Sequence, residues 1–288
     1  MTWRDRSWLI PTGASHDARW ILAARGTRAF ADGFVALLLP IYLLELGFGP
    51  LAIGSIITST LIGSALLTLW VGQITHRFAR RALLNGACLL MIATGSAFAL
   101  ATEYWPIVVI AFIGTINPTA GDVSLFLPLE QTVLAQTVEP VDRTALFARY
   151  SLVGTLLGGL GVLAASIPES VARSSSISHL HATQLMFVLY SVLGMGALAL
   201  YRQLSSGVEA PTAAPAALGP SKGIVYRLMA LFAIDSFGSG FFVQSMLALW
   251  LYQRFGLSVA SAAAILFWAS ICSAVSFLIA VPVSKRFG

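Results

Sequence analysis

Three carboxylates, Asp32, Asp122 and Asp235, each interrupt a long apolar stretch of this chain. Ionisable groups are costly inside hydrocarbon, so each of these positions calls for a functional explanation. A carboxylate in such surroundings can take up a proton from one side of a membrane and release it to the other. The three acids are therefore candidates for proton coupling or for the binding of a solute.

Asp32 has a basic residue on its own helix. Arg28 precedes it by four residues, so the two side chains share one helix face and can pair, and Arg25 lies one turn further towards the N-terminus. Such a pair can also neutralise itself and simply mark the inward side of the helix. We favour a functional role, because a purely structural face can be built from Ser and Gly at lower cost.

The second acid lies among helix breakers. Asp122 belongs to the run Asn-Pro-Thr-Ala-Gly-Asp-Val-Ser that begins at Asn117. Irregular backbone at membrane depth is tolerated only where it faces protein or a water-filled cavity. On a helix, Asn117, Gly121, Ser124 and Pro128 would share one face, with Asp122 beside it. We therefore expect Asn117 and Asp122 to face a cavity.

Asp235 and Glu130 each allow two interpretations from the sequence. Asp235 opens a Gly/Ser-rich run, with Gln244 following, and is either hydrated near the cytoplasm or a cavity carboxylate. Glu130 comes near the cytoplasmic end of its apolar stretch, where we expect an interfacial position. The alternative for Glu130 is an ion pair with Arg28 or Arg149.

The elements that carry these residues must be membrane helices. Hydrophobic residues make up 57% of the 288 residues, charged residues 10%, and the mean hydropathy is +0.84, whereas a soluble domain carries about 25% charged residues. Apolar runs of about 20 residues recur along the whole chain. The predicted class is an all-α, polytopic membrane protein. Its eight expected spans lie near 20–46, 50–71, 82–101, 106–131, 145–167, 183–203, 224–253 and 258–281.

The basic residues predict the orientation of these spans. A cytoplasmic N-terminus leaves only Arg173 and Arg254 of the 17 basic residues on the outer side. Because the positive charges are scattered among cytoplasmic turns, nucleic-acid binding is not expected. Cys88 and Cys272 both lie within predicted spans, so we expect neither a disulfide nor a metal site. We also expect no cofactor and a monomeric protein.

The chain contains an internal repeat. Residues 47–79 align without a gap with residues 256–288, at an offset of 256 − 47 = 209. Weak identity in one register between hydrophobic segments is typical of duplicated membrane bundles. By the same offset, a complete second copy would extend the chain to about 418 residues. We therefore expect roughly two-thirds of a duplicated protein, cut after its eighth helix.

Six helices, a Pro-containing linker and the start of a second copy resemble the major facilitator superfamily. The family's turn after helix two reads Gly-x-Leu-x-Asp-Arg-x-Gly-Arg-Arg. This sequence matches it at Gly72, Arg77, Arg80 and Arg81, with His76 in place of the Asp and Ala79 in place of the second Gly. The turn either latches a cytoplasmic gate or serves only as a positive-inside anchor.

The resemblance implies a domain organisation. It divides the chain into a six-helix bundle (1–203), a cytoplasmic linker (204–223) and two helices of an incomplete second bundle (224–288). It also implies that helices one, four and seven line a central cavity, and these are the helices that carry the three acids.

The resemblance implies secondary active transport of a small organic solute. The transport is expected to be coupled to protons, to work by alternating access and to take place in the cell inner membrane.

 

Two alternatives stay open beside that function. One is a facilitator or uptake symporter of the same fold, in which the acids bind the solute. The other is a truncated remnant that does not transport on its own. A membrane enzyme is disfavoured, because neither an H-E-x-x-H nor a G-x-S-x-G motif occurs in the sequence.

Overall fold

The computed structural model describes residues 15–75, 77–119, 124–209, 219–240 and 243–287, which form helices and no β-strand. Asp122 and His76 lie outside the described residues. The helices are α1 (His16–Glu45), α2 (Pro50–Ile74), α3 (Arg80–Leu100), α4 (Tyr104–Ile113), α5 (Phe126–Leu134), α6 (Arg143–Ala164), α7 (Ile167–Ser174), α8 (His179–Tyr201), α9 (Lys222–Gly240), α10 (Gln244–Phe255) and α11 (Val259–Phe287). Six helical segments within these ranges are long and apolar enough to cross a membrane. The predicted all-α polytopic class is confirmed.

Two of the eight expected spans are not continuous helices. The span expected at 106–131 is divided into α4 and α5, because α4 ends at Ile113, with Gly114 as its C-cap, and Pro118 follows four residues after Gly114. The span expected at 224–253 is divided into α9 and α10. Helix α9 ends at Gly240, the last residue of a Gly-Ser-Gly run that favours a break. A hydropathy window averages over such breaks and cannot detect them.

Helix α1 is the centre of the described fold. Every residue from Ala31 to Leu43 is buried, so this part of the helix is covered on all sides, and α1 packs along α6 and α8, with further contacts to α10. Its backbone approaches that of α6 closely: a Cβ on Gly33 would collide with the carbonyl oxygen of Gly158, and one on Gly161 with the carbonyl oxygen of Phe30. The small residues of α6 therefore set the distance between these two helices.

The internal repeat is visible in the backbone. Gly47 and Gly256, which align in the sequence, have φ angles of 87° and 61°, a conformation that favours glycine. The helices that follow them begin at Pro50 and Val259, again 259 − 50 = 209 residues apart. The two copies thus make the same turn between their first and second helices.

The glycine contacts between α1 and α6 predict a matched pair of variants. Gly161→Ala places a methyl group against the Phe30 carbonyl, so we expect a loss of about 1–3 kcal/mol of stability, measured as a lower thermal-denaturation midpoint in detergent. Gly86→Ala in α3 meets open space and should leave the midpoint unchanged or slightly raised. Equal midpoints for the two variants would contradict the close approach.

Candidate functional site

A buried ion pair joins α1 to α5. Arg28 Nη2 donates to Glu130 Oε2 at 2.5 Å, and the two side chains are 2% and 0% exposed. The hydroxyls of Tyr150 on α6 and Tyr201 on α8 also donate to this carboxylate, at 2.5 Å each. Arg28 Nε donates to the Tyr201 hydroxyl at 3.1 Å. Four helices therefore meet at one carboxylate, which is bound through both of its oxygens.

The interfacial position expected for Glu130 is wrong, and the alternative pairing with Arg28 is observed. The break before α5 lets this short helix pack its Phe126 ring over Tyr201, with the Arg28 guanidinium 3.9 Å from the centre of the Phe126 ring. Glu130 then offers Arg28 a carboxylate supported by two phenols. The Asp32 carboxylate, on the same helix as Arg28, does not accept hydrogen bonds from these two phenols.

Asp32 lies beside this network and is 4% exposed. The charges of Arg28 and Arg25 act on its carboxylate, and the Tyr190 hydroxyl on α8 is a hydrogen-bonding neighbour. Tyr190 also donates to the carbonyl of Thr115, at 3.2 Å, in the break between α4 and α5. Arg28 therefore forms its ion pair with Glu130 and not with Asp32, although its charge still acts on the Asp32 carboxylate.

Asn117 closes the break in the fourth span. It is 2% exposed, and its Oδ1 accepts hydrogen bonds from the backbone N–H and the hydroxyl of Thr119, at 2.9 and 2.6 Å. The helical face predicted for Asn117, Ser124 and Pro128 is wrong, because residues 114–119 and 124–125 are not helical. Asn117 lies in the loop between α4 and α5, where its hydrogen bonds to Thr119 hold the backbone of the loop.

Helix α10 is fixed to α1 and to this loop by one side chain. The Ser245 hydroxyl, which is fully buried, lies 2.6 Å from the Ala36 carbonyl oxygen and 2.9 Å from that of Pro118. The Ser245 backbone N–H also donates to the Pro118 carbonyl, at 3.2 Å. The breaks in the fourth and seventh spans therefore meet at Ser245.

A cavity of about 370 Å³ lies among α6, α10 and α11. Gln244, a predicted site residue, lines it together with Thr119, and glycines of α6 form one wall. Asp235 is exposed on α9, whose described side chains are exposed along most of its length. The structure thus brings Arg28 and Asp32 together, places Gln244 at the cavity and leaves Asp235 apart from both.

The basic turn contacts the segment that follows α8. Glu209 accepts hydrogen bonds from the backbone N–H groups of Arg80 and Arg81, at 2.8 and 3.0 Å, and so caps the N-terminus of α3. The Arg80 side chain donates to the Val208 carbonyl, at 3.2 Å. Gly72, near the end of α2, and Arg77, in the turn, are exposed. In this arrangement the turn holds the segment that follows α8 against the start of α3.

Removing the carboxylate of the ion pair should be severe. Glu130→Gln leaves Arg28 buried without its counter-charge, so we expect a loss of about 3–5 kcal/mol in thermal or denaturant unfolding. Glu169→Gln breaks the exposed pair with Arg173 and should cost less than about 1 kcal/mol. A Glu130 variant as stable as the Glu169 variant would contradict the role of the network.

The cap from Glu209 can be tested by hydrogen exchange. Glu209→Ala removes the acceptor for two helix N-terminal amides, so the amides of Arg80 and Arg81 should exchange faster, by an amount equivalent to about 0.5–2 kcal/mol. Glu139→Ala, at an exposed acid without a side-chain cap, is the control. Unchanged exchange at both amides would argue against the cap.

Comparisons with known proteins agree with this architecture. The chain matches the major facilitator superfamily over residues 21–288. An uncharacterized membrane protein of Saccharomyces cerevisiae is 21% identical over 310 aligned residues, which cover 96% of this chain and 69% of the relative. The family match includes the buried network, the broken spans and the basic turn. This chain belongs to the major facilitator superfamily and is a multi-pass membrane transporter of that type.

Proposed function

We propose that the protein is a proton-coupled secondary transporter of a small organic solute that works by alternating access. The observation that carries this proposal is Asp32, an acid that is 4% exposed on the central helix α1. Its potential partner Arg28 is bound to Glu130, so Asp32 can gain and lose a proton without dismantling that ion pair. Asp122 and Asp235 remain secondary candidates for proton coupling.

The cavity among α6, α10 and α11 supports solute binding near Asp32, since Gly33, the next residue, packs against Gly158 of the cavity wall. Gln244 supplies an amide, and the α6 wall has little side-chain bulk, so a small solute can approach the backbone closely. Asn117 contributes indirectly, by holding the loop that places Thr119 at the cavity. In the facilitator alternative the same residues bind solute and Asp32 has no proton to transfer.

The proposal includes a domain division and an orientation. A bundle of residues 1–203, a linker of 204–223 and a second unit of 224–288 would rock against each other, with the N-terminus on the cytoplasmic side of the cell inner membrane. The basic turn of Gly72, His76, Arg77, Arg80 and Arg81 would act at the cytoplasmic gate. Its contact with Glu209 would carry motion of the turn to the linker.

Solute-linked proton uptake tests the function. Titration calorimetry of the purified protein with sugars, amino acids and dicarboxylates, in buffers of different ionisation enthalpy, should show about one proton taken up per solute bound. Asp32→Asn should abolish this uptake while the protein remains folded. Solute binding without proton uptake in the unaltered protein would favour the facilitator alternative.

Flux measurements provide the matching control. In proteoliposomes that contain a pH-sensitive dye, the solute found by calorimetry should drive proton movement, and Asp32→Asn should stop it. Asp142→Asn, which changes an acid at the start of α6, should behave like the unaltered protein. Flux that does not depend on a proton gradient would overturn the coupling.

A further inference from the structure

The cavity among α6, α10 and α11 is lined by polar side chains that carry no charge. Its lining includes Gln244 and the hydroxyl-bearing residues Thr119, Thr155, Ser270 and Ser273, and none of the described lining residues is ionisable. An ionised solute in such a space would leave its charge without a partner, which is costly away from water. The cavity therefore favours an uncharged solute.

The buried cations nearest to the cavity are engaged behind its wall. Arg25 fills the space that a side chain at Gly154 would need, since a Cβ there would be 2.6 Å from Arg25 Nε. Its guanidinium lies 5.2 Å from the centre of the Tyr150 ring, and Arg25 does not line the cavity. Arg28 is paired with Glu130. Neither cation is placed to meet an anion bound in the cavity.

Three of the polar side chains have unused hydrogen-bonding capacity. Within the described part of the chain, the side chains of Thr155, Gln244 and Ser273 have no hydrogen-bond partner. Each hydroxyl can both donate and accept, and the amide offers two donors and an acceptor. The three residues belong to α6, α10 and α11, so one solute that binds all of them joins three helices.

Two further hydroxyls are left to accept hydrogen bonds. The Ser270 hydroxyl donates to the Leu266 carbonyl at 3.0 Å, and the Thr119 hydroxyl donates to Asn117 Oδ1 at 2.6 Å. Because these protons are already used, the two oxygens keep lone pairs for an incoming donor. A solute hydroxyl can donate to one such group and accept from another. The mixture of donors and acceptors therefore suits a solute that carries several hydroxyl groups.

The rest of the lining suits the carbon skeleton of such a solute. Phe277, Leu247 and Leu266 provide apolar surface, and the glycines of α6 leave room beside it. The volume of about 370 Å³ is at the lower end of the range of about 300–1,000 Å³ that is typical of small-molecule sites. The size and the mixed lining fit a molecule about as large as a monosaccharide.

We propose that this cavity binds an uncharged solute with several hydroxyl groups, of the size of a monosaccharide or a small polyol. Thr155, Gln244 and Ser273 bind its hydroxyls, and Phe277 packs against its carbon skeleton. This inference rests on the proposed function, because it names the class of solute whose binding Asp32 is proposed to couple to a proton.

The test is titration calorimetry of the purified protein in phosphatidylcholine nanodiscs with matched sets of probes. Each set contains a neutral hexose (glucose, galactose or mannose), its amino derivative and its uronic acid, at a pH where the amine is cationic and the acid anionic. We expect a neutral hexose to bind about tenfold or more tightly than its charged derivatives. Tighter binding of a uronate would overturn the proposal, and so would the absence of hexose binding. Tighter binding of an amino sugar that Asp122→Asn abolishes would assign the cavity to cations and would also overturn it.

Removal of single hydroxyls tests whether the hexose occupies this cavity. Thr155→Val and Ser273→Ala each remove one contact with the solute, so each should weaken hexose binding about three- to tenfold. Ser276→Ala is the matched control, because Ser276 is exposed on the same helix as Ser273 and does not line the cavity. Its affinity should be unchanged. Equal hexose affinities in all three variants would contradict the assigned site.

Proton uptake separates this inference from the proposed function. Hexose binding that needs Thr155 and Ser273 but takes up no proton would reject the coupling and leave the solute class. Asp32-dependent proton uptake with a charged solute, and no hexose binding, would reject the solute class and leave the coupling. Hexose binding with Asp32-dependent proton uptake would support both.

Discussion

The ion pair between Arg28 and Glu130 is the interaction on which the rest of the described structure depends. It brings α1, α5, α6 and α8 to one point, because two tyrosines from α6 and α8 donate to the same carboxylate. A buried ion pair gains little stability over a well-packed apolar core, since both charges lose their hydration. Its effect is instead positional: each of the four helices has one register in which the network is complete.

This division of charges also creates the candidate chemistry. With Arg28 paired to Glu130, Asp32 and Arg25 remain on α1 without that ion pair. Arg25 lies three residues before Arg28 and Asp32 four residues after it, each about one helical turn away. A tightly bonded acid would hold its charge through the transport cycle, whereas a loosely partnered one can exchange a proton. Within eight residues of α1, Arg28 is therefore held in an ion pair, whereas Asp32 is the acid proposed to exchange a proton.

The sequence predicted the features that depend on composition and local geometry. The apolar runs, the 209-residue repeat and the basic turn can be recognised from the sequence alone, and the helices and turns that they predict occur where expected. Glu130 was misplaced because its partners are 20, 71 and 102 residues away in the chain. The four-residue spacing on α1 predicted a pair between Arg28 and Asp32. Arg28 instead pairs with Glu130 on α5, because two tyrosine hydroxyls also donate to that carboxylate.

The repeat shows that the two copies have diverged in charge. Adding the offset of 209 to Arg25, Arg28 and Asp32 gives Ile234, Phe237 and Phe241, so the second copy has apolar residues at all three positions. Ala36 and Ser245 are also equivalent, being 209 residues apart, and they contact each other as expected for residues near the axis relating two copies. The divergence at the charged positions leaves Arg25, Arg28 and Asp32 without charged counterparts in the second copy.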